Sequence, residues 1–98
     1  MNTTKILKAL FTNKKTVSVE NVAGGAIVRY YETEIAFVGD GIVKIYAGGW
    51  YTATTKRYIN TVFDAFGVGA YLYQKGNIWY VKVNGVDQVF FDGFAVSF

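Results

Sequence analysis

Three dipeptides near the C-terminus, Gly76-Asn77, Asn84-Gly85 and Asp92-Gly93, constrain this chain more than any other feature. Each tolerates the positive φ that two-residue hairpin turns demand. The chain has no Pro, so no ladder donor is lost between them. Read as tight hairpins, they predict a four-strand antiparallel meander with a defined register. Tyr73 then faces Tyr80, Tyr71 faces Lys82, Lys82 faces Asp87, and Val89 faces both Tyr80 and Val96. Side chains alternate across a sheet, so these pairs sort into two rows. One row carries Leu72, Trp79, Val81, Val83, Val86 and Phe90. The other carries Tyr71, Tyr73, Tyr80, Val89, Phe91, Phe94, Val96 and Phe98, edged by Lys75, Lys82 and Asp87.

A sheet with one wet face shows polar residues there, and this one does not. Either helices cover both faces or the sheet curls over itself, or else the Tyr/Phe row is a docking surface for a second copy or a partner.

The remaining elements follow from periodicity. Asn2 to Thr4 offer cap oxygens ahead of Ile6, Leu7 and Leu10, which share a helical face; a short helix is expected, ending near Asn13. Thr16 to Val22 alternates as a strand. Ala26 to Val38 is a long β-rich stretch, bent or interrupted near Glu32. Gly39-Asp40-Gly41 is a turn, with Ile42 to Tyr46 returning from it. Thr54 or Thr55 can cap a central helix that Gly67 closes. Its apolar stripe is Tyr58, Ile59, Val62, Phe63 and Phe66, opposite Arg57, Asn60, Thr61 and Asp64. The expected fold is one α+β domain over residues 1–98, mostly antiparallel sheet, with a C-terminal four-strand meander, one central amphipathic helix and a short N-terminal helix.

Composition narrows the chemistry. Eight Tyr, eight Phe and two Trp are more rings than so short a chain can hide, which again places some on a surface. With no Cys and no His, disulfides, thiolate metal sites and the commonest general base are excluded. Neither a membrane span nor a signal peptide is recognisable, so a cytoplasmic location, in the cell that makes or hosts the protein, is expected. The net charge of +3 is uneven: Lys5, Lys8, Lys14 and Lys15 precede the first acid, Glu20. That suits a solvated surface or a polyanion-binding patch.

The acids lack catalytic surroundings. Glu32 and Glu34 share a strand face, but without His or Asn support they read as a solvated edge. Asp40 and Asp92 lie in Asp-Gly turns, Asp87 has Lys82 opposite it, and Asp64 lies on the polar helix face. Ser18, Ser97 and the threonines have no partner to activate them, and no phosphate loop is present. The expectation is a binding protein, not an enzyme, without cofactor or metal.

The segment Gly48 to Asn60, GGWYTATTKRYIN, sets Lys56 and Arg57 in the first turn of the central helix. Cations there oppose the macrodipole, so they either mark a plain exposed helix start or form an anion-binding nook flanked by Trp50 and Tyr51. Tyr31-x-Thr33-x-Ile35-Ala36, followed by Tyr51-x-Ala53-Thr54-Thr55-Lys56-x-Tyr58-Ile59-Asn60, resembles a group of small bacteriophage and plasmid proteins. They carry S-Y-x-T-x-[IV]-A and then [WY]-[ST]-x-T-T-x-[KR]-[HY]-[IV]-[NK]. The likeness covers roughly residues 26 to 66; Tyr30 and Glu32 depart from it, and Tyr58 stands where His is common. The resemblance implies a mobile-element origin and supplies no activity.

Three uses of the rings follow. The first is a phage accessory protein that binds a host protein or nucleoprotein complex, such as an anti-CRISPR inhibitor of host defence. The second is a single-stranded nucleic-acid binder, with bases stacked on Tyr and phosphates held by Lys. The third is a homodimer or larger structural assembly. The residues expected to meet a partner are Trp50, Tyr51, Lys56, Arg57, Asn60, Tyr71, Tyr73, Tyr80, Lys82 and Phe91.

Overall fold

The computed structural model describes residues 2–98. Helix α1 (Thr3–Leu10) starts where the Asn2 side chain accepts a hydrogen bond from the Lys5 amide. It stops three residues before the expected end at Asn13, with a turn completing the stretch. Strands β1 (Val17–Val22), β2 (Gly25–Tyr30), β3 (Thr33–Gly39) and β4 (Ile42–Ile45) then run antiparallel in chain order. The stretch expected to break near Glu32 does so at Tyr31-Glu32, a two-residue turn between β2 and β3.

Helix α2 (Ala53–Ala65) is capped by Thr52, whose hydroxyl accepts from the Thr55 amide at 3.2 Å. Thr54 and Thr55, expected as caps, lie inside the helix. Thr55 is fully buried, its hydroxyl 3.2 Å from that of Thr52. A threonine can fill the cap only where its own backbone stays extended, and Thr52 does, with φ −121° and ψ 160°. Tyr58, Ile59, Val62 and Phe63 are the buried stripe, as their spacing predicts.

Strands β5 (Ala70–Lys75), β6 (Ile78–Val83) and β7 (Val86–Val89) form a second, three-stranded sheet. Its register is the one expected: Tyr71 faces Lys82, Tyr73 faces Tyr80, Lys82 faces Asp87, and Tyr80 faces Val89. Asn84 and Gly85 both have positive φ, as a primed turn requires.

The fourth meander strand is corrected. Strand β8 (Phe94–Ser97) leaves the second sheet and pairs with β4, giving a five-stranded order β1-β2-β3-β4-β8. Val96 therefore faces Val43, not Val89. The turn explains why. Phe94 N–H donates to Phe91 O at 3.0 Å, and of the two central residues only Gly93 has positive φ, at 89°. That is a type II arrangement, which splays the flanking strands and does not close a twisted hairpin. Gly93 N–H bonds to Ile45 O, and the Asp92 carboxylate accepts from the Ala47 amide at 2.7 Å. Phe94 and Val96 are consequently buried in the core, not displayed beside the tyrosines.

Helix α2 lies against β3 on one side and β5 on the other, while α1 covers β1 and β2. One buried cluster spans both sheets: Leu7, Val28, Ile45, Ile59, Phe63, Leu72 and Trp79 all belong to it.

Because the Asp92 carboxylate is the side-chain partner of the part-buried Ala47 amide, Asp92→Ala is expected to cost about 1–3 kcal/mol. Chemical denaturation should show a lower midpoint with an unchanged slope.

Candidate binding surface

Strand alternation gives the three-stranded sheet two faces with opposite fates. Leu72, Trp79, Val81 and Phe90 turn inward, toward the side where α2 packs, and are buried. Tyr71, Tyr73, Tyr80, Lys82 and Val89 turn outward, and among the described residues no helix covers them. Tyr71 is 57% exposed. The rings of Tyr71 and Tyr73 lie 6.3 Å apart, those of Tyr73 and Tyr80 5.6 Å, both pairs near parallel. The outward row is thus one continuous aromatic band across β5 and β6.

Charge ties the band to β7. Lys82 Nζ approaches Asp87 Oδ1 at 3.7 Å. Interaction with the Asp87 carboxylate, with lesser help from desolvation, pushes the pKa of the Tyr73 phenol up to about 12.

The helix side of β5 is organised differently. Asn60 donates from Nδ2 to Leu72 O and accepts from Leu72 N–H, both at 2.8 Å. Its amide occupies the place of a neighbouring strand along the edge of β5. Asn60, expected to meet a partner, gives one amide hydrogen and its oxygen to the Leu72 backbone. A groove of about 490 Å³ between α2 and β5 brings Lys56, Arg57, Asn60, Tyr71 and Tyr73 together.

The residues expected to form an anion nook are placed as follows. With Thr52 as cap, Lys56 is the fourth helical residue, and its N–H already bonds to Thr52 O at 3.2 Å. The unbonded first-turn amides lie before it. Its ammonium donates to Gln74 Oε1 at 2.8 Å and sits 5.1 Å above the Trp79 ring, so it braces α2 on the second sheet. Arg57 stays exposed.

Trp50 and Tyr51 diverge as neighbours in an extended chain do. The Tyr51 ring meets Trp79 at 4.9 Å, closing the inner face of the second sheet. Trp50 turns to the first sheet, bonding through Nε1 to Thr33 Oγ1 at 3.1 Å and stacking on Tyr31 at 5.7 Å. Phe91, 60% exposed, packs on Phe94 at 5.1 Å beside the crossover, at the margin of the tyrosine band.

Tyr31 escapes sequence reasoning. It occupies φ 56°, a left-handed conformation costing roughly 1–2 kcal/mol for a residue with a Cβ. Nothing in Tyr31-Glu32 signals such a turn. The Tyr31 N–H bond to Thr16 O, at 2.6 Å, and the stack on Trp50 hold it there. Ile78 was also missed as a surface residue, although its pairing with Lys75 puts it on the outward face.

A family model described as Kyanoviridae Gp96 protein matches residues 2–97, nearly the whole chain. The chain therefore belongs to that phage protein family. No curated protein and no solved structure matches it.

Asn60→Ala would strip both partners from the Leu72 backbone, and a loss of about 1–3 kcal/mol is expected on denaturation. Tyr73 should be among the last phenols to ionise in an ultraviolet titration, near pH 12, with Asp87→Asn returning it toward 10. A raised phenol pKa favours the neutral form in the fold. Its stabilising contribution is therefore complete below pH 10 and fades as pH climbs toward 12.

Proposed function

We propose that this phage protein acts by binding, with the outward face of its three-stranded sheet docking on a protein of the infected cell. The observation that carries the reading is the open row of Tyr71, Tyr73 and Tyr80, flanked by exposed Ile78 and Val89. Tyrosine offers large, rigid contact area at low entropic cost and keeps a hydroxyl for hydrogen bonding, which is why it is enriched at protein interfaces.

A single strand of nucleic acid is the other candidate occupant, and the charges favour it less. Stacked bases bring a phosphate each, and affinity depends on neutralising several of them. Around this face Lys82 is engaged by Asp87, and Lys56 by Gln74 and Trp79. Arg57 and Lys75 are what is left to meet phosphates.

On this reading the protein works in the host cytoplasm as an accessory factor that occupies the surface of a host machine and needs no catalytic step. Inhibition of a host-defence complex, anti-CRISPR activity included, is its finer form. The small size and the phage family support that form by analogy.

The test compares what wild-type protein captures from lysate of the phage's host with what a Tyr71→Ser, Tyr80→Ser double variant captures. Both side chains point to solvent, so the fold should survive. Truncating a central interface tyrosine costs about 2 kcal/mol, so capture of the same complex should weaken roughly tenfold or more. Equal capture by the variant would rule out this face. A shift of labelled single-stranded oligonucleotide that collapses with salt would reassign it to nucleic acid.

A further inference from the structure

The second sheet ends in a strand that nothing among the described residues covers. All four residues of β7 are exposed, Val86 at 60% and Val89 at 59%. The direction of its backbone groups follows from the ladder. Phe90 N–H donates to Trp79 O, and in an antiparallel strand successive residues point their N–H and C=O alternately to either side. Val86 and Gln88 therefore bond to β6, while Asp87 and Val89 aim theirs away from it. Among the described residues neither outward N–H has a protein acceptor.

Two of the other edges are treated differently, and the remaining one, β8, exposes only the small side chains of Ala95 and Ser97. Asn60 blocks β5 at Leu72. The exposed side chains of β1 are Ser18, Glu20 and Asn21, polar groups that discourage pairing. Strand β7 instead flanks its open backbone with two valines, and Phe91 lies just beyond.

We propose that β7 pairs antiparallel with β7 of a second copy of this chain about a two-fold axis through Gln88. Two identical strands related by a two-fold axis must run antiparallel, and this register pairs both outward residues of each copy. Asp87 then faces Val89 of the second copy. Centring the axis on Asp87 would set two carboxylates face to face. Centring it on Val89 would put Asp87 opposite Phe91, where the chain has already turned toward β8. With Gln88 on the axis each carboxylate meets an apolar neighbour and keeps Lys82 on its own sheet. The two sheets fuse edge to edge, and the two tyrosine bands become halves of one face. The pairing does not depend on what that face binds.

Mass in solution and amide exchange test it together. Sedimentation equilibrium should give twice the 10.9 kDa of one chain, dissociating on dilution. Hydrogen exchange at Asp87 and Val89 should slow as concentration rises, while Val86 and Gln88, bonded to β6, stay unchanged. Val89→Lys puts a charge on the edge without touching the ladder and should weaken self-association roughly tenfold or more, with the circular dichroism spectrum retained. Val89→Pro, which removes only an outward N–H, should do the same. A single-chain mass at all concentrations with fast exchange at both amides would overturn the proposal. So would a dimer indifferent to Val89→Lys, which would assign association to another surface. Protection at Asp87 and Val89 that appears only with an added extended peptide would give the edge to a foreign strand.

Discussion

The carboxylate of Asp92 reaches across 45 residues of sequence to the Ala47 amide, and much of the molecule's surface depends on that contact. It holds the loop before α2 against the crossover that carries β8 out of the second sheet. Were the chain to turn back as a hairpin at this point, β8 would lie along β7. The free edge would vanish, and Phe94 and Val96 would join the tyrosines outside. Instead the crossover gives those two apolar side chains to the core and leaves a sheet of three strands with one face bare.

That bare face is unusual because the covered one is already complete. Helix α2 is a single wedge between two sheets, and its stripe of Tyr58, Ile59, Val62 and Phe63 fills the interior. Lys56 braces it from outside over Trp79, and Tyr51 closes the gap at Trp79 and Phe90. No second helix remains to lie on the tyrosine band. The band persists in water because phenol hydroxyls stay solvated and near-parallel rings shield each other's faces. An all-Phe band would be costlier to leave open.

Edges are managed as selectively as faces. An asparagine amide has the same donor and acceptor pair as a peptide unit, so Asn60 can stand in for a strand against Leu72 while remaining part of a helix. This closes β5 and directs any strand pairing on the second sheet to β7. The Lys82–Asp87 pair links that open strand to β6 on the outward face.

Local chemistry made much of this legible before any coordinates. The α+β class, the stripe of α2, two of the three C-terminal turns, the register that sets Tyr73 opposite Tyr80 and the faces on which the residues of β5 and β6 lie all follow from residue types at short spacing; the places of Phe94 and Val96 do not. Turn dihedrals and side-chain alternation are properties of a few consecutive residues. What the tertiary structure decided are the events in which one polar group chose among distant partners. Asp92 chose the Ala47 amide over its own hairpin, Asn60 chose the Leu72 backbone over solvent, and Lys56 reached Gln74 and Trp79. Such choices depend on which segments packing brings within 3 Å of one another, and no local pattern encodes that distance.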